Sequence, residues 1–325
     1  MDLNKLKDFD ILSEQDKQEA LALLNRYEQI DKQDECQNDF IKFVKHLWPE
    51  FIEGRHHKII SDKFNRIAQG KLKRLIVCLP PRHSKSEFAS TYFPAWMMGR
   101  KGDLKIIQTT HTAELAVRFG RKVRNIIDSQ EYQHIFPELK LQADNKSAGR
   151  WTTNQEGESY YAGVGGAITG RGADLLIIDD PHSEQDAMSP KAMESAYEWY
   201  TSGPRQRLQP GGTIVIVMTR WSTKDLVGKV LKKQGEENAD QWEVVEFPAI
   251  MPESEAPLWP EFWQKEELLS VKASLPLPKW NSQWLQNPTA EEGSIVKREW
   301  WRRWEEDEVP EYNYVIQSYD TAFSK

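Results

Sequence analysis

Four short runs constrain this chain more than any other feature: Leu75–Leu79, Lys105–Thr109, Leu175–Asp179 and Thr213–Met218. Leu, Ile, Val and Thr dominate them, with little of the apolar–polar alternation of a strand that shows one face to water. Strands of this kind are buried on both faces, which places them in a parallel sheet covered by helices. Helical periodicity fills the gaps, over Ala113–Ile127 and Lys191–Tyr200. The expected fold is α/β: a three-layer domain with a mostly parallel central sheet, spanning residues 45–250.

Both flanks differ from this middle. Residues 1–44 read as a helical N-terminal region, with Ser13 and Asp16 spaced as a short capping box. Ala20, Leu23, Leu24 and Tyr27 then line one face of a helix. Phe40, Phe43, Val44 and Leu47 predict a second helix that ends at Pro49, and a third runs from His57 to Ala68 and stops at Gly70. Residues 251–311 shift to Pro, Trp and Glu and read as a connector or small subdomain. At 312–325, Tyr314–Asp320 reads as the first strand of a further domain whose remainder is absent.

Charge and cysteine usage exclude several classes. Lys and Arg number 43 against 50 Asp and Glu, a net charge of −7, so a uniformly basic nucleic-acid coat protein is excluded while a local basic face is not. No apolar run approaches the roughly 18 residues of a membrane span, and the N-terminus does not begin a secretory signal. Cys36 and Cys78 are too few for a disulfide framework or a four-cysteine zinc site. A soluble, cytoplasmic protein is the expectation.

The chemistry gathers at strand ends. Leu75–Leu79 runs into Pro80-Pro81-Arg82-His83-Ser84-Lys85-Ser86 and then a helical pattern, the setting of a phosphate-binding loop. Lys85 would neutralise the β- and γ-phosphates of ATP, and the Ser86 hydroxyl would ligate Mg²⁺. In the pattern G-x-x-x-x-G-K-[ST], Leu79 and Ser84 stand at the glycine positions, so Ser84 must accept whatever backbone angle the loop imposes. Asp179 and Asp180 end a later apolar strand, where an ATPase holds Mg²⁺ and polarises the attacking water. Asp180 is one methylene shorter than the glutamate usual at the second position. Thr219, ending the strand Thr213–Met218, is placed to sense the γ-phosphate. Each feature alone is also what an ordinary turn or strand end leaves; three in this order point to a P-loop NTPase.

Leu79–Glu87, Thr169–Asp174 leading into Ile177–Pro181, and Met218–Trp221 resemble the motor motifs of the large terminase subunit of tailed bacteriophages. Trp280–Pro288 is similar to that family's connector, and Ser318–Ala322 to the first strand of its RNase H-like nuclease domain. The resemblance implies an ATP-driven motor that pumps double-stranded DNA into a procapsid in the host cytoplasm. Its implied partners are the portal protein, the small terminase subunit and further copies in a ring on the portal, with no membrane involved. It implies that Lys85, Arg82, His83, Ser84 and Ser86 bind ATP, that Ser86 and Asp179 hold Mg²⁺, and that Asp180 fills the base position. Thr219 would be the coupling residue, and His57, before the first strand, would lie near the adenine.

Ring motors also use an arginine on the transition-state charge, from the same subunit or a neighbour. Arg82 and Arg171 are the two candidates here. Arg118, Arg121, Lys122 and Asn125 share one helix face suited to phosphate contacts, although a solvated face looks the same in sequence. Asp320 would be a first metal ligand of the nuclease. Its carboxylate partners are missing from these 325 residues, so no competent nuclease is expected. A helicase-like or remodelling P-loop ATPase, and a non-hydrolysing nucleotide-binding scaffold, remain the alternatives.

Overall fold

A computed structural model describes residues 13–289. Asp320 and the expected strand Tyr314–Asp320 lie outside the described residues. The centre is an eight-stranded sheet in the order β3-β4-β5-β2-β6-β7-β1-β8. Its strands are β1 (Arg74–Cys78), β2 (Lys105–Thr110), β3 (Leu141–Ser147), β4 (Arg150–Thr153), β5 (Glu158–Gly163), β6 (Ala173–Asp179), β7 (Leu208–Met218) and β8 (Glu243–Glu246). From β5 to β8 every pairing is parallel; β3 and β4 add an antiparallel margin. The four apolar runs became the central strands β1, β2, β6 and β7. The marginal strands were not legible, because β8 alternates half-buried with exposed residues and β3–β5 lack a continuous aliphatic run.

Strand order positions the site. β7 lies between β1 and β6, so the loop after β1 and the carboxylates at the end of β6 flank the end of β7 on one sheet edge.

Each sheet face carries its own core. One packs Leu75, Val77, Ile106, Ile177 and Val215 against α2 (Phe40–Leu47), α3 (Arg55–Ala68), α5 (Phe93–Arg100) and α6 (Ala113–Ile127). The other packs Ile76, Ile107, Ile178 and Ile216 against α9 (Pro190–Ser202) and α10 (Leu226–Lys233). α2 starts where Asp39 accepts the N–H groups of Ile41 and Lys42, and its Phe40, Phe43 and Val44 are fully buried. The 44/45 boundary therefore does not divide cores. α1 (Glu14–Asn38) is the expected helix, but the face that carries Leu23 and Tyr27 is largely uncovered among the described residues, the two being 56% and 68% exposed. Only its C-terminal half is anchored, through Cys36 in the core and Gln33 and Gln37 donating to the Ile135 carbonyl.

The helix after the phosphate loop is interrupted. Lys85–Glu87 forms a first turn (α4), Phe88–Tyr92 is a π turn, and α5 follows. Pro94 lacks the N–H that would bond the Ser90 carbonyl four residues back. Gln108 in β2 supplies that donor instead, Nε2 to O at 3.0 Å. The connector carries α11 (Lys265–Ser274) and a π turn at Trp280–Trp284, closing a small core of Ala249, Leu268, Trp280 and Trp284.

Candidate nucleotide site

β1 ends in a loop whose backbone is bent as a phosphate cradle requires. Ser84 has φ 62° and ψ 9° and Arg82 has φ 60°, both left-handed. A side chain at such angles costs about 1–2 kcal/mol, which is why glycine is usual at the position before the lysine. Leu79, at the other glycine position, needs no such freedom. It extends the strand, its N–H bonding the Met218 carbonyl at 3.2 Å.

The loop brings the expected groups together. Lys85 Nζ lies 2.9 Å from Asp180 Oδ2, and Ser86 Oγ donates to Asp179 Oδ1 at 3.0 Å. Thr219 completes the edge: its N–H donates to Asp180 Oδ1 at 2.8 Å and its Oγ1 to the Leu79 carbonyl at 3.0 Å. Burial, and then the charge of Asp180, raises the Asp179 carboxyl to about 7. Burial pulls the Lys85 ammonium down, but Asp180 and Asp179 hold it above its ordinary value. Asp180 itself sits at φ 41°, a third strained non-glycine residue at this edge.

Asp179 Oδ2 is buried and has no hydrogen-bond partner. An orphaned carboxylate oxygen beside a serine hydroxyl is a hard-oxygen donor set that fits Mg²⁺, which is held by few protein ligands together with phosphates and water. Among the described residues no cluster of three or more His, Cys, Asp or Glu could hold a metal alone.

The remaining residues divide. Arg82 is exposed at the loop tip, with no ion pair among the described residues. His83 does not present its ring to a phosphate: it is 1% exposed, Nδ1 bonds the Pro81 carbonyl at 2.8 Å, and Trp263 stacks on it. What it offers the loop is its backbone N–H. His57 is also turned inward. Its Nδ1 accepts the Gly54 N–H at 2.8 Å to cap α3, and Phe51, Phe88 and Trp259 surround its ring.

Arg171 requires a correction as a finger within its own subunit. It precedes β6, whereas Asp179 ends that seven-residue strand. At about 3.3 Å per residue the two are some 20 Å apart, on opposite sheet edges. The guanidinium pairs with Glu158 and lies 3.9 Å from the centre of the Tyr160 ring. On α6, Arg118 and Arg121 are exposed as expected, but Lys122 is tied to Glu87.

Sequence reasoning missed three groups here. His111 Nδ1 lies 3.2 Å from the Asp180 carbonyl, and Gln108 steadies the helix behind the loop. Gln286 reaches the edge from the connector, its Oε1 accepting the Arg220 N–H at 3.0 Å. Only Gln108 left a signal, as a polar residue inside an apolar run.

No family model matches the chain, and no curated protein matches it. Among solved structures, the large terminase of bacteriophage HK97 superposes with a TM-score of 0.51 at 11% identity, over 78% of this chain and 55% of that one. The ATPase domain of the Thermus phage P74-26 large terminase aligns with a TM-score of 0.46 at 15% identity, over 75% of this chain and 96% of that domain. The large terminase of a thermophilic bacteriophage in complex with ADP aligns at 0.42 and 11% identity, over 78% and 53%. The chain thus spans about half the length of the HK97 protein and nearly all of the Thermus phage ATPase domain. By its fold, then, this chain is similar to the α/β domain of the bacteriophage HK97 large terminase, with a central, mostly parallel sheet.

Proposed function

We propose that this chain is the ATP-hydrolysing motor part of a DNA-packaging terminase, driving double-stranded DNA into a procapsid. One observation carries the reading: the Lys85 ammonium, the Ser86 hydroxyl and the carboxylates of Asp179 and Asp180 meet at one sheet edge, within 2.9–3.0 Å of one another in pairs.

The geometry translates into roles. The loop amides and the N-terminus of the following helix would receive the phosphates, with Lys85 transferring from Asp180 to the β- and γ-oxygens. Ser86 and Asp179 would hold Mg²⁺, which when bound neutralises charge on those oxygens. Release of Lys85 leaves the Asp180 carboxylate free to accept a proton from the attacking water, held in place by the Thr219 N–H. Arg82, exposed at the loop tip, would be the arginine of this subunit that meets developing charge. Arg171 can serve only from a neighbouring copy.

Double-stranded DNA, the portal, the small subunit and a ring of copies follow from the same reading. Arg118 and Arg121 are free to meet phosphates without reading sequence. No helix among the described residues is long and apolar enough to cross a membrane. A non-hydrolysing scaffold is favoured by one feature, the strained serine where glycine is usual. ATP hydrolysis with and without duplex DNA and procapsids, for the native chain and Asp179→Asn, separates the two. DNA-stimulated turnover abolished by Asp179→Asn supports the motor; nucleotide binding without turnover under every condition refutes it.

A further inference from the structure

The connector meets the hydrolysis edge at two points. Trp263 stacks on His83 of the phosphate loop with ring centres 6.1 Å apart, and Trp284 meets the same ring edge-on at 6.3 Å. The second contact is polar. Gln286 lies just past the π turn Trp280–Trp284, is 3% exposed, and accepts the Arg220 N–H with its Oε1 at 3.0 Å. Its φ of 56° is left-handed on a residue that is not glycine. Strain of this type, about 1–3 kcal/mol, persists only where the surroundings over-determine the conformation.

Arg220 is held on its other side as well. Its guanidinium binds Asp225 Oδ2 and Glu246 Oε1, each at 3.0 Å, joining the exit of β7 to the end of β8. One residue earlier, Thr219 gives its N–H to Asp180. A single residue therefore separates the amide that Gln286 captures from the amide that aims the Asp180 carboxylate.

We infer that Gln286 is a positioning residue for hydrolysis: by accepting the Arg220 N–H it fixes the Thr219–Arg220 segment, and with it the amide that orients Asp180, so that connector and water-activating group share one geometry. The inference rests on the reading of Asp180 given above. It also makes the link reciprocal, because a nucleotide that draws Lys85 from Asp180 pulls on the same segment and is felt in the connector.

The test uses the full 325-residue chain and three variants. Gln286→Met keeps the length and removes the acceptor. Gln286→Gly removes the acceptor and relieves the left-handed strain, and Asp180→Asn removes the group being aimed. With duplex DNA, Gln286→Met and Gln286→Gly should each lower kcat by about tenfold, the worth of one buried hydrogen bond, with KM for ATP within about twofold; both leave the buried Arg220 N–H unpaired, so rates are compared well below a melting temperature that should fall by a few degrees. In the Asp180→Asn background, Gln286→Met should leave the residual rate unchanged, as two residues acting through one contact require. A native kcat in Gln286→Gly, or a full tenfold loss in the Asp180→Asn background, overturns the inference. If the native chain itself shows no turnover, it is the hydrolase reading that fails. The link is then judged by tryptophan emission on binding ATPγS: a change seen in the native chain and lost in Gln286→Met supports it, and one that survives overturns it.

Discussion

Acidification should weaken this fold through three histidines that it keeps neutral. His56, His57 and His83 are 0–1% exposed and packed ring against ring beneath the phosphate loop. Burial lowers them to about 3, 2 and 4. In the unfolded chain each titrates near 6.5, so as pH falls through that value the unfolded state binds protons that the folded state refuses. The stability they contribute is complete above 6.5 and drains below it. Between pH 7.5 and 5.5 the three together remove roughly 4 kcal/mol. Asp179 opposes this. Its raised carboxyl binds a proton in the folded state over the same interval and returns part of that loss. The comparison is therefore best made in Asp179→Asn, by urea unfolding at the two pH values. A loss of at least about 4 kcal/mol is expected there, since burial lowers His46 and His182 as well, and His56→Phe should reduce it by about 1 kcal/mol. Equal stability at both pH values in the Asp179→Asn protein would refute the reasoning, because it would mean that the imidazoles can accept protons where they lie.

Other perturbations probe single contacts. Ser84→Gly should relieve the left-handed strain and stabilise the chain by up to about 1 kcal/mol, the gain being reduced by the flexibility of glycine in the unfolded state. A large rise in its ATP turnover would show that the native serine holds the loop back. Gly120→Ala should destabilise by about 1–3 kcal/mol in a thermal melt, since the new Cβ would meet the Ala148 carbonyl at 2.2 Å. If Arg171 acts between copies, mixing inactive Lys85→Ala protein with Arg171→Ala protein on procapsids should recover turnover; no recovery at any ratio removes it from the mechanism.

The central strands and the loop that follows β1 were legible because their signals are local. A continuous apolar run states its own burial, and Lys85-Ser86 following one places a cation and a hydroxyl at a strand end whatever surrounds them. Asp179 and Asp180 were legible for the same reason. The face of α1 was not: Leu23 and Tyr27 have the right spacing, but spacing cannot say whether a second surface exists to cover them. Nor could it say that His57 caps its own helix from within an aromatic box, where its one acceptor is already taken.

What the chain determines by itself is thus the set of elements and the polar residues at their ends, because covalent neighbours and burial patterns act over a few residues. Tertiary structure decided the rest. Placing β7 between β1 and β6 set Thr219 against Asp180, the length of β6 carried Arg171 to the far edge, and folding the connector back brought Gln286 to Arg220, 66 residues away. These depend on strand order and on hydrogen bonds between distant segments, which no local preference encodes and which form only when the whole core is packed.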